Sequence, residues 1–221
     1  MRRFEFVVDR RHARAVNEVF ADLRRLRRMA VLTTIAASVA TALLIRSHHP
    51  WAYLLAVAFA LGAGTALWVA LRTLRRPGID ELYADGELVP AVVSETNSST
   101  VVLLALVDVA PDRADPRYAL VATKVRALPG HQRRTGERVP SVAVRGDRAP
   151  RPVGEHWQSV SAMPIAWGTT DGCVIERARA AIGEAEWRLL SDNLALAQKV
   201  LRTTGKQLLL DPHRLPEEFG G

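Results

Sequence analysis

The chain has 221 residues, a formal net charge of +7 and a mean hydropathy of +0.02. A chain of this length forms one or two domains, and the positive charge favours anionic partners such as lipid head groups or nucleic acid. Its single cysteine, Cys173, excludes an intrachain disulfide and a metal site built from several cysteines.

Residues 1–28 form a basic N-terminal segment with nine arginines and four acidic residues. Phe4, Phe6 and Val8 recur with a period of two, which predicts a short strand. After Asp9, a predicted N-cap, apolar residues recur at helical spacing and predict an amphipathic helix. Such a helix lies on an anionic membrane surface or packs on the soluble part of the chain. The apolar positions are Val16, Val19, Phe20, Leu23 and Leu26.

Two uncharged apolar runs follow, at residues 29–45 and 50–71. A transmembrane helix needs about 20 apolar residues, with about 17 as the lower limit. We therefore predict transmembrane helices at 29–45 and 51–71, joined by a short outer loop at 46–50. A signal peptide is the competing interpretation of the first run. It is disfavoured because a long charged segment precedes the run and a second span follows it.

The arginines flanking the two runs predict the orientation. Only Arg46 lies in the connecting loop, and cytoplasmic flanks carry the excess of basic residues. We therefore predict a multi-pass protein of the cell membrane with both termini in the cytoplasm. The flanking arginines are also predicted to contact anionic lipid head groups at the membrane surface. They are Arg24, Arg25, Arg27, Arg28, Arg72, Arg75 and Arg76.

The second apolar run carries a row of small residues at four-residue spacing, Ala58, Gly62, Ala66 and Ala70. Rows of this type let helix backbones approach closely. The row predicts helix packing, either against the first span or against a second copy in a homo-oligomer. Neither run contains an ionisable residue, which argues against a transporter.

Residues 77–221 are predicted to form a cytoplasmic domain that begins with five β-like runs separated by Pro- and Gly-rich breaks. Short strands at this spacing predict a small β-barrel or sandwich, of the oligonucleotide-fold or SH3-like type. Pro90, Pro140 and Pro164 then require edge, bulge or strand-start positions. The five runs are 88–95, 100–109, 118–128, 139–145 and 158–167.

Two helices are predicted to complete this domain. Asp171 is a cap for the first, which ends near Ile182, and the second runs from Glu184 to a stop at Gly205. The predicted fold class is thus a membrane α-hairpin followed by an α+β soluble domain.

The sequence contains no phosphate-binding loop, dinucleotide fingerprint, nucleophile elbow or zinc-protease helix motif. We therefore predict no catalytic, cofactor-binding or metal-binding residues and no cofactor. Arg133, Arg134 and Arg138 form a basic cluster that is a candidate anion-binding site. Stacking aromatics are absent from this stretch, which disfavours nucleic acid as its ligand.

Two segments carry a family resemblance: residues 136–144 (GERVPSVAV) and residues 157–169 (WQSVSAMPIAWGT). Together with the arginine-flanked hairpin, they make the chain resemble an uncharacterised actinobacterial family of two-span membrane proteins with a domain of unknown function. The resemblance implies a topology, and it implies no activity and no catalytic residues.

These observations favour a non-enzymatic membrane protein that tethers a β-rich interaction domain and binds a protein or lipid partner. An enzyme, or an enzyme subunit, that acts on a membrane-associated substrate is the alternative. A nucleic-acid tether is the third hypothesis, and it predicts steeply salt-dependent binding of DNA or RNA.

Overall fold

The computed structural model describes residues 3–47, 49–74, 78–110, 117–145 and 160–211. The chain divides into two compact units, Asn17–Gly78 and a second made of Met1–Val16 with Ile79–Gly221. The first unit is a pair of long helices, and the second is a β-rich domain. The N-terminal residues therefore fold with the domain that follows the long helices in sequence.

The chain begins with an extended segment at residues 3–9, which leads into a short helix, α1 (Arg10–Val16). As predicted, Asp9 caps this helix, because its Oδ1 accepts hydrogen bonds from the backbone N–H groups of Arg11 and His12 at 2.9 and 3.0 Å. The hydrogen bond from His12 also holds the pKa of the Asp9 carboxyl below its usual value.

The predicted N-terminal strand does not form. Phe4, Phe6 and Val8 are half-buried and alternate with exposed residues, so the period of two is present in the structure. Within the described residues, however, the segment makes only one β-bridge, between Arg3 and Glu87. The segment packs its apolar side chains on the domain instead of pairing with a strand of the sheet.

Two long helices follow, α2 (Glu18–Arg46) and α3 (Pro50–Leu74), and they pack along each other. Each contains a stretch long and apolar enough to cross a membrane, Arg24–Arg46 and Pro50–Arg72. The four arginines directly before the first apolar run, at 24, 25, 27 and 28, belong to α2, which continues into that run without a break. Three threonine hydroxyls in these helices donate to the carbonyl oxygen four residues earlier, so they add no unpaired polar group.

A short helix, α4 (Ile79–Asp85), leads into a curled antiparallel sheet of six strands that resembles half of a barrel. The strand order is β5-β4-β1-β2-β3-β6. The strands are β1 (Glu87–Thr96), β2 (Val101–Asp108), β3 (Tyr118–Val125), β4 (Arg138–Arg145), β5 (Val160–Pro164) and β6 (Gln207–Leu209). The first four lie close to their predicted positions, β5 ends three residues early in a short 3-10 turn, and β6 was not predicted.

The prolines of the sheet occupy positions where a missing N–H is tolerated. Pro90 lies directly opposite Pro140 in the β1–β4 pair. The pairing of β1 with β2 starts one residue later, at Ala91, and that of β4 with β5 starts at Ser141. Each proline therefore lies just outside the ladder with its second neighbouring strand, and Pro164 is the last residue of β5.

Three helices pack on the sheet, α5 (Gly172–Ala180), α6 (Glu184–Asp192) and α7 (Ala197–Arg202). Asp171 caps α5 as predicted, since its carboxylate accepts from the backbone N–H of Cys173 at 2.9 Å. The second predicted helix is split into α6 and α7 at Asn193, whose side-chain amide donates to the Leu189 carbonyl at 2.7 Å. Gly205, the predicted stop, has φ +77° in the turn before β6.

Residues 3–16, which we call the N-terminal strap, dock on the turn that follows β5. The backbone N–H of Asp9 donates to the Gly168 carbonyl at 2.8 Å, and His12 Nε2 donates to the Ala166 carbonyl at 3.0 Å. The Phe6 ring meets the Tyr83 ring of α4 edge-on, with centroids 5.2 Å apart. The strap thus closes over residues that are far away in the sequence.

Gly168 makes this close approach feasible. A Cβ placed there would lie 2.9 Å from the Tyr83 ring and 3.0 Å from the Phe6 ring. We expect Gly168→Ala to lower the free energy of unfolding by about 1–3 kcal/mol, because the rings must shift to admit the methyl group. The measurement is thermal or urea unfolding of the full-length protein in detergent. Gly172→Ala is the matched control, since nothing lies within 4 Å of a Cβ at that position. An equal loss in both variants would contradict the docking.

Candidate functional site

Small side chains line the contact between α2 and α3. Ala30 and Ala37 of α2 are buried, as are Ala56, Ala63 and Ala70 of α3. Within each helix these alanines are seven residues apart, a repeat that keeps one face of a helix turned toward its partner. Helices that pack through alanine approach closely and leave their larger side chains on the outside.

The predicted small-residue row lies partly on this contact. Ala70 is buried and Ala66 is half-buried, whereas Ala58 and Gly62 are exposed on the surface of the hairpin. A Cβ placed at Gly62 would have no neighbour within 4 Å. The contact with α2 thus uses the seven-residue row of alanines, and packing of the exposed members against a second copy remains a prediction.

Large apolar side chains cover the outside of the hairpin. Among the described residues, every exposed large apolar side chain except Val7 and Leu209 lies on α2 or α3. Several are more than 60% exposed, including Leu43, Leu61 and Trp51. We call this surface, between Leu26 and Leu71, the apolar belt. Contiguous apolar surface of this extent marks a contact with a membrane or another protein.

Arginines and aromatic residues lie at the ends of the apolar belt. Arg24, Arg25, Arg27 and Arg28 are exposed near the start of α2. Arg72, near the end of α3, places its guanidinium 5.3 Å from the centroid of the Trp68 ring. At the opposite end, Trp51 and Tyr53 are exposed close to the loop. Arg75 and Arg76 lie outside the described residues.

The alanine contact predicts unequal effects for two matched substitutions in α3. Ala63→Leu is expected to weaken the packing of α2 on α3 by about 1–3 kcal/mol, because the added atoms must enter a filled contact. Ala58→Leu should cost much less, since Ala58 is exposed. The measurement is unfolding of the detergent-solubilised protein by added sodium dodecyl sulfate, followed by circular dichroism. A comparable cost for Ala58→Leu would show that the row predicted from the sequence also makes a contact.

The predicted anion-binding arginines lie just before β4 and at its first residue, and each has a partner in the β-rich domain. Arg133 donates to the Asn97 carbonyl at 3.1 Å. Arg134 lies 3.4 Å from the Glu137 carboxylate. Arg138 forms a bidentate ion pair with Glu184, and its guanidinium lies over the Trp187 ring. This pairing holds the pKa of Glu184 below its usual value. Anion binding by these arginines remains a prediction. An anion would have to compete with these partners for the guanidinium groups.

His131 precedes these arginines in the basic stretch of the sequence, but its side chain is buried. The side chain of His131 is fully buried, and its Nδ1 donates to Glu137 Oε1 at 3.4 Å. Its Nε2 has no hydrogen-bond partner among the described residues. Glu137 also lies 3.7 Å from Arg179, which pairs with Glu176 at 2.8 Å. The group therefore ties α5 to the residues just before β4.

Burial lowers the pKa of His131 below its ordinary value of 6.5, and the hydrogen bond to Glu137 opposes this shift only in part. The folded chain therefore binds this proton less readily than the unfolded chain. We expect the contribution of His131 to the free energy of unfolding to be constant above its ordinary pKa of about 6.5. This contribution should fall as the pH drops from about 6.5 toward the lower pKa of the folded state.

The measurement for His131 is urea unfolding of the full-length protein in detergent across this pH range. His131→Gln should remove this part of the pH dependence, whereas the control His49→Gln, in the loop between α2 and α3, should leave it in place. An unchanged pH dependence in His131→Gln would refute the assignment.

A cavity of about 180 Å³ opens beside α4, with Asp85, Glu87 and Asp108 among its lining residues. The Asp108 carboxylate already takes part in hydrogen bonds within the chain, because its Oδ1 accepts from the backbone N–H groups of Ala110 and Arg117. In the described parts of the chain, no three His, Cys, Asp or Glu residues are grouped so that they could hold a metal ion. The acidic cavity therefore has no second feature that points to a ligand.

The family described as "Protein of unknown function (DUF3239)" matches residues 75–198, more than half of the chain. The chain belongs to this family. A crystal structure described as "a putative membrane protein from Corynebacterium diphtheriae" is similar to the DUF3239 chain, with 40% sequence identity and a TM-score of 0.52. The similarity covers 56% of this chain and 100% of that one. No curated protein matches the chain.

The predicted resemblance is confirmed in its coarser part, a family of unknown function with a relative from an actinobacterium. The matched residues 75–198 follow the hairpin, so the match does not test the two spans. The N-terminal strap also lies outside the matched residues, although it contacts Tyr83 and Gly168 within them.

Proposed function

We propose that α2 and α3 span the cell membrane and hold the DUF3239 domain at its cytoplasmic face, where the domain binds a protein or lipid partner without catalysing a reaction. The apolar belt carries this proposal. In water, a surface of this extent would drive aggregation. In a bilayer it is solvated by hydrocarbon, and the two helices satisfy their own backbone hydrogen bonds, as a membrane requires.

The composition of the two units supports a membrane anchor with a water-exposed domain. The large apolar side chains of the β-rich domain are mostly buried, including Trp167 and Trp187 at 2% and 1% exposure. Those of the hairpin are mostly exposed, and its buried contact is made by alanine. This distribution is the reverse of a soluble helical hairpin, in which the large side chains face the contact.

The N-terminal strap supports placing both termini on the same side. The strap precedes α2, yet it folds with the domain that follows α3, and Arg10 forms an ion pair with Asp80 of α4 at 2.8 Å. A chain in which the segments before and after a hairpin form one domain crosses a membrane an even number of times, which fits two spans. The arginine-rich flanks favour the cytoplasm as that side.

Labelling with a membrane-impermeant maleimide tests this topology in the full-length protein. Cys173 is exposed and is the only cysteine of the chain. We expect it to react only after the cells are permeabilised. In a Cys173→Ser background, His49→Cys in the loop between α2 and α3 should react in intact cells. Labelling of Cys173 in intact cells, or release of the protein from membranes by alkaline carbonate, would contradict the proposal.

An interaction role predicts that the full-length protein, solubilised gently from its native membranes, elutes in a complex of defined composition. The sequence carries none of the searched catalytic motifs, which supports this role over an enzymatic one. Turnover of a membrane-associated substrate by the purified protein alone would favour the enzyme instead.

A further inference from the structure

The arginines at one end of the hairpin form a concentrated positive patch. Because α2 and α3 run antiparallel, residues 24–28 and residue 72 lie at the same end, the end from which the chain continues into the β-rich domain. Five arginines are exposed there, Arg24, Arg25, Arg27, Arg28 and Arg72. Among the described residues near the other end of the hairpin, Arg46 is the single exposed arginine.

Arg25 and Arg28 point away from α3. A helix turns by about 100° per residue, so these two residues lie roughly 140° and 160° around α2 from Ala30, which is buried in the helix contact. On α3, Arg72 and Trp68 are four residues apart and therefore share one face. All three arginines thus lie on outward faces of the hairpin, on the same surface as the apolar belt.

Arg25, Arg28 and Arg72 differ from several arginines of the β-rich domain in their contacts with described residues. In the β-rich domain, Arg10, Arg138 and Arg179 each pair with a carboxylate. Within the described residues, Arg25 and Arg28 have no ion-pair partner, and the Arg72 guanidinium lies over the Trp68 ring. Like charges three residues apart on a helix repel each other. An anion at this surface would remove that repulsion.

We propose that Arg25, Arg28 and Arg72 bind the phosphate groups of anionic phospholipids, so that this end of the hairpin gathers such lipids from the leaflet around it. This inference rests on the proposed insertion of the hairpin. Guanidinium groups bind phosphate oxygens in pairs, and the Trp68 ring is suited to the boundary between head groups and hydrocarbon. Each arginine near an anionic surface contributes about a fivefold preference.

The test uses tryptophan quenching by brominated lipids in vesicles. The full-length protein carries Trp51→Phe and Trp157→Phe, so that Trp68 reports on contact with lipid, while Trp167 and Trp187 are buried in the core of the domain. It is reconstituted into phosphatidylcholine vesicles with a minor fraction of phosphatidylglycerol. The bromine is placed either on the phosphatidylglycerol or on an equal amount of phosphatidylcholine.

We expect brominated phosphatidylglycerol to quench Trp68 several-fold more than the same amount of brominated phosphatidylcholine, and high salt to reduce the excess. Arg25→Gln, Arg28→Gln and Arg72→Gln together should abolish the excess, whereas the control Arg46→Gln should retain it. Added inorganic phosphate at the concentration of the phosphatidylglycerol should leave the excess unchanged.

Equal quenching by the two lipids, or an excess that persists in the triple variant, would overturn the proposed lipid preference while leaving membrane insertion intact. Loss of the excess on adding inorganic phosphate would overturn the preference for a lipid head group over free phosphate. Absence of quenching by either lipid would show that Trp68 does not contact lipid, which would refute the insertion itself.

Discussion

The docking of the N-terminal strap on the turn after β5 is the constraint on which the chain's organisation depends. It brings residues on either side of the hairpin into one folded domain, through the hydrogen bond from Asp9 to the Gly168 carbonyl and the packing of Phe6 on Tyr83. The segment between these contacts must leave the domain and return to it. Two antiparallel helices satisfy that requirement, because the second returns the chain to the end of the hairpin where the first begins.

The hairpin and the domain bury their apolar residues by opposite rules. In the domain, strands β1 and β2 are buried along almost their whole length, because the sheet curls and helices pack on it. In the hairpin, alanines fill the contact between the helices and the large side chains face outward. Apolar side chains therefore form a water-excluding core in one unit and an apolar outer surface in the other.

Sequence reasoning located the elements whose formation depends on local signals. The long helices follow from uncharged runs of membrane-spanning length, and β1 to β4 follow from apolar runs between turn residues. Strand β6 has only three residues, and it forms because β3 offers an edge, which a local pattern does not reveal. The break at Asn193 was also missed, because Trp187, Leu190 and Ala197 keep a helical spacing across it.

For the candidate site residues, too, the sequence predicts what depends on local structure and does not predict contacts between distant segments. The positions of the exposed arginines on α2 follow directly from the sequence, since a helix fixes which residues share a face. The row of small residues predicted on α3 has a four-residue spacing, whereas the helix contact uses alanines seven residues apart, and that choice depends on the alanines of α2. His131 and Glu137 are brought to Arg179 by the fold, and nothing in their separate surroundings in the sequence indicates that meeting.

The strap has a consequence for the order in which the protein is made. Asp9 leaves the ribosome long before Gly168, the residue whose carbonyl it binds. Contacts between such distant parts of a chain form late, because the intervening segment must first be brought together. During synthesis the phenylalanines of the strap therefore stay exposed until the long helices and then the strands of the sheet have been synthesised. Closure of the strap is expected to be the last step of folding.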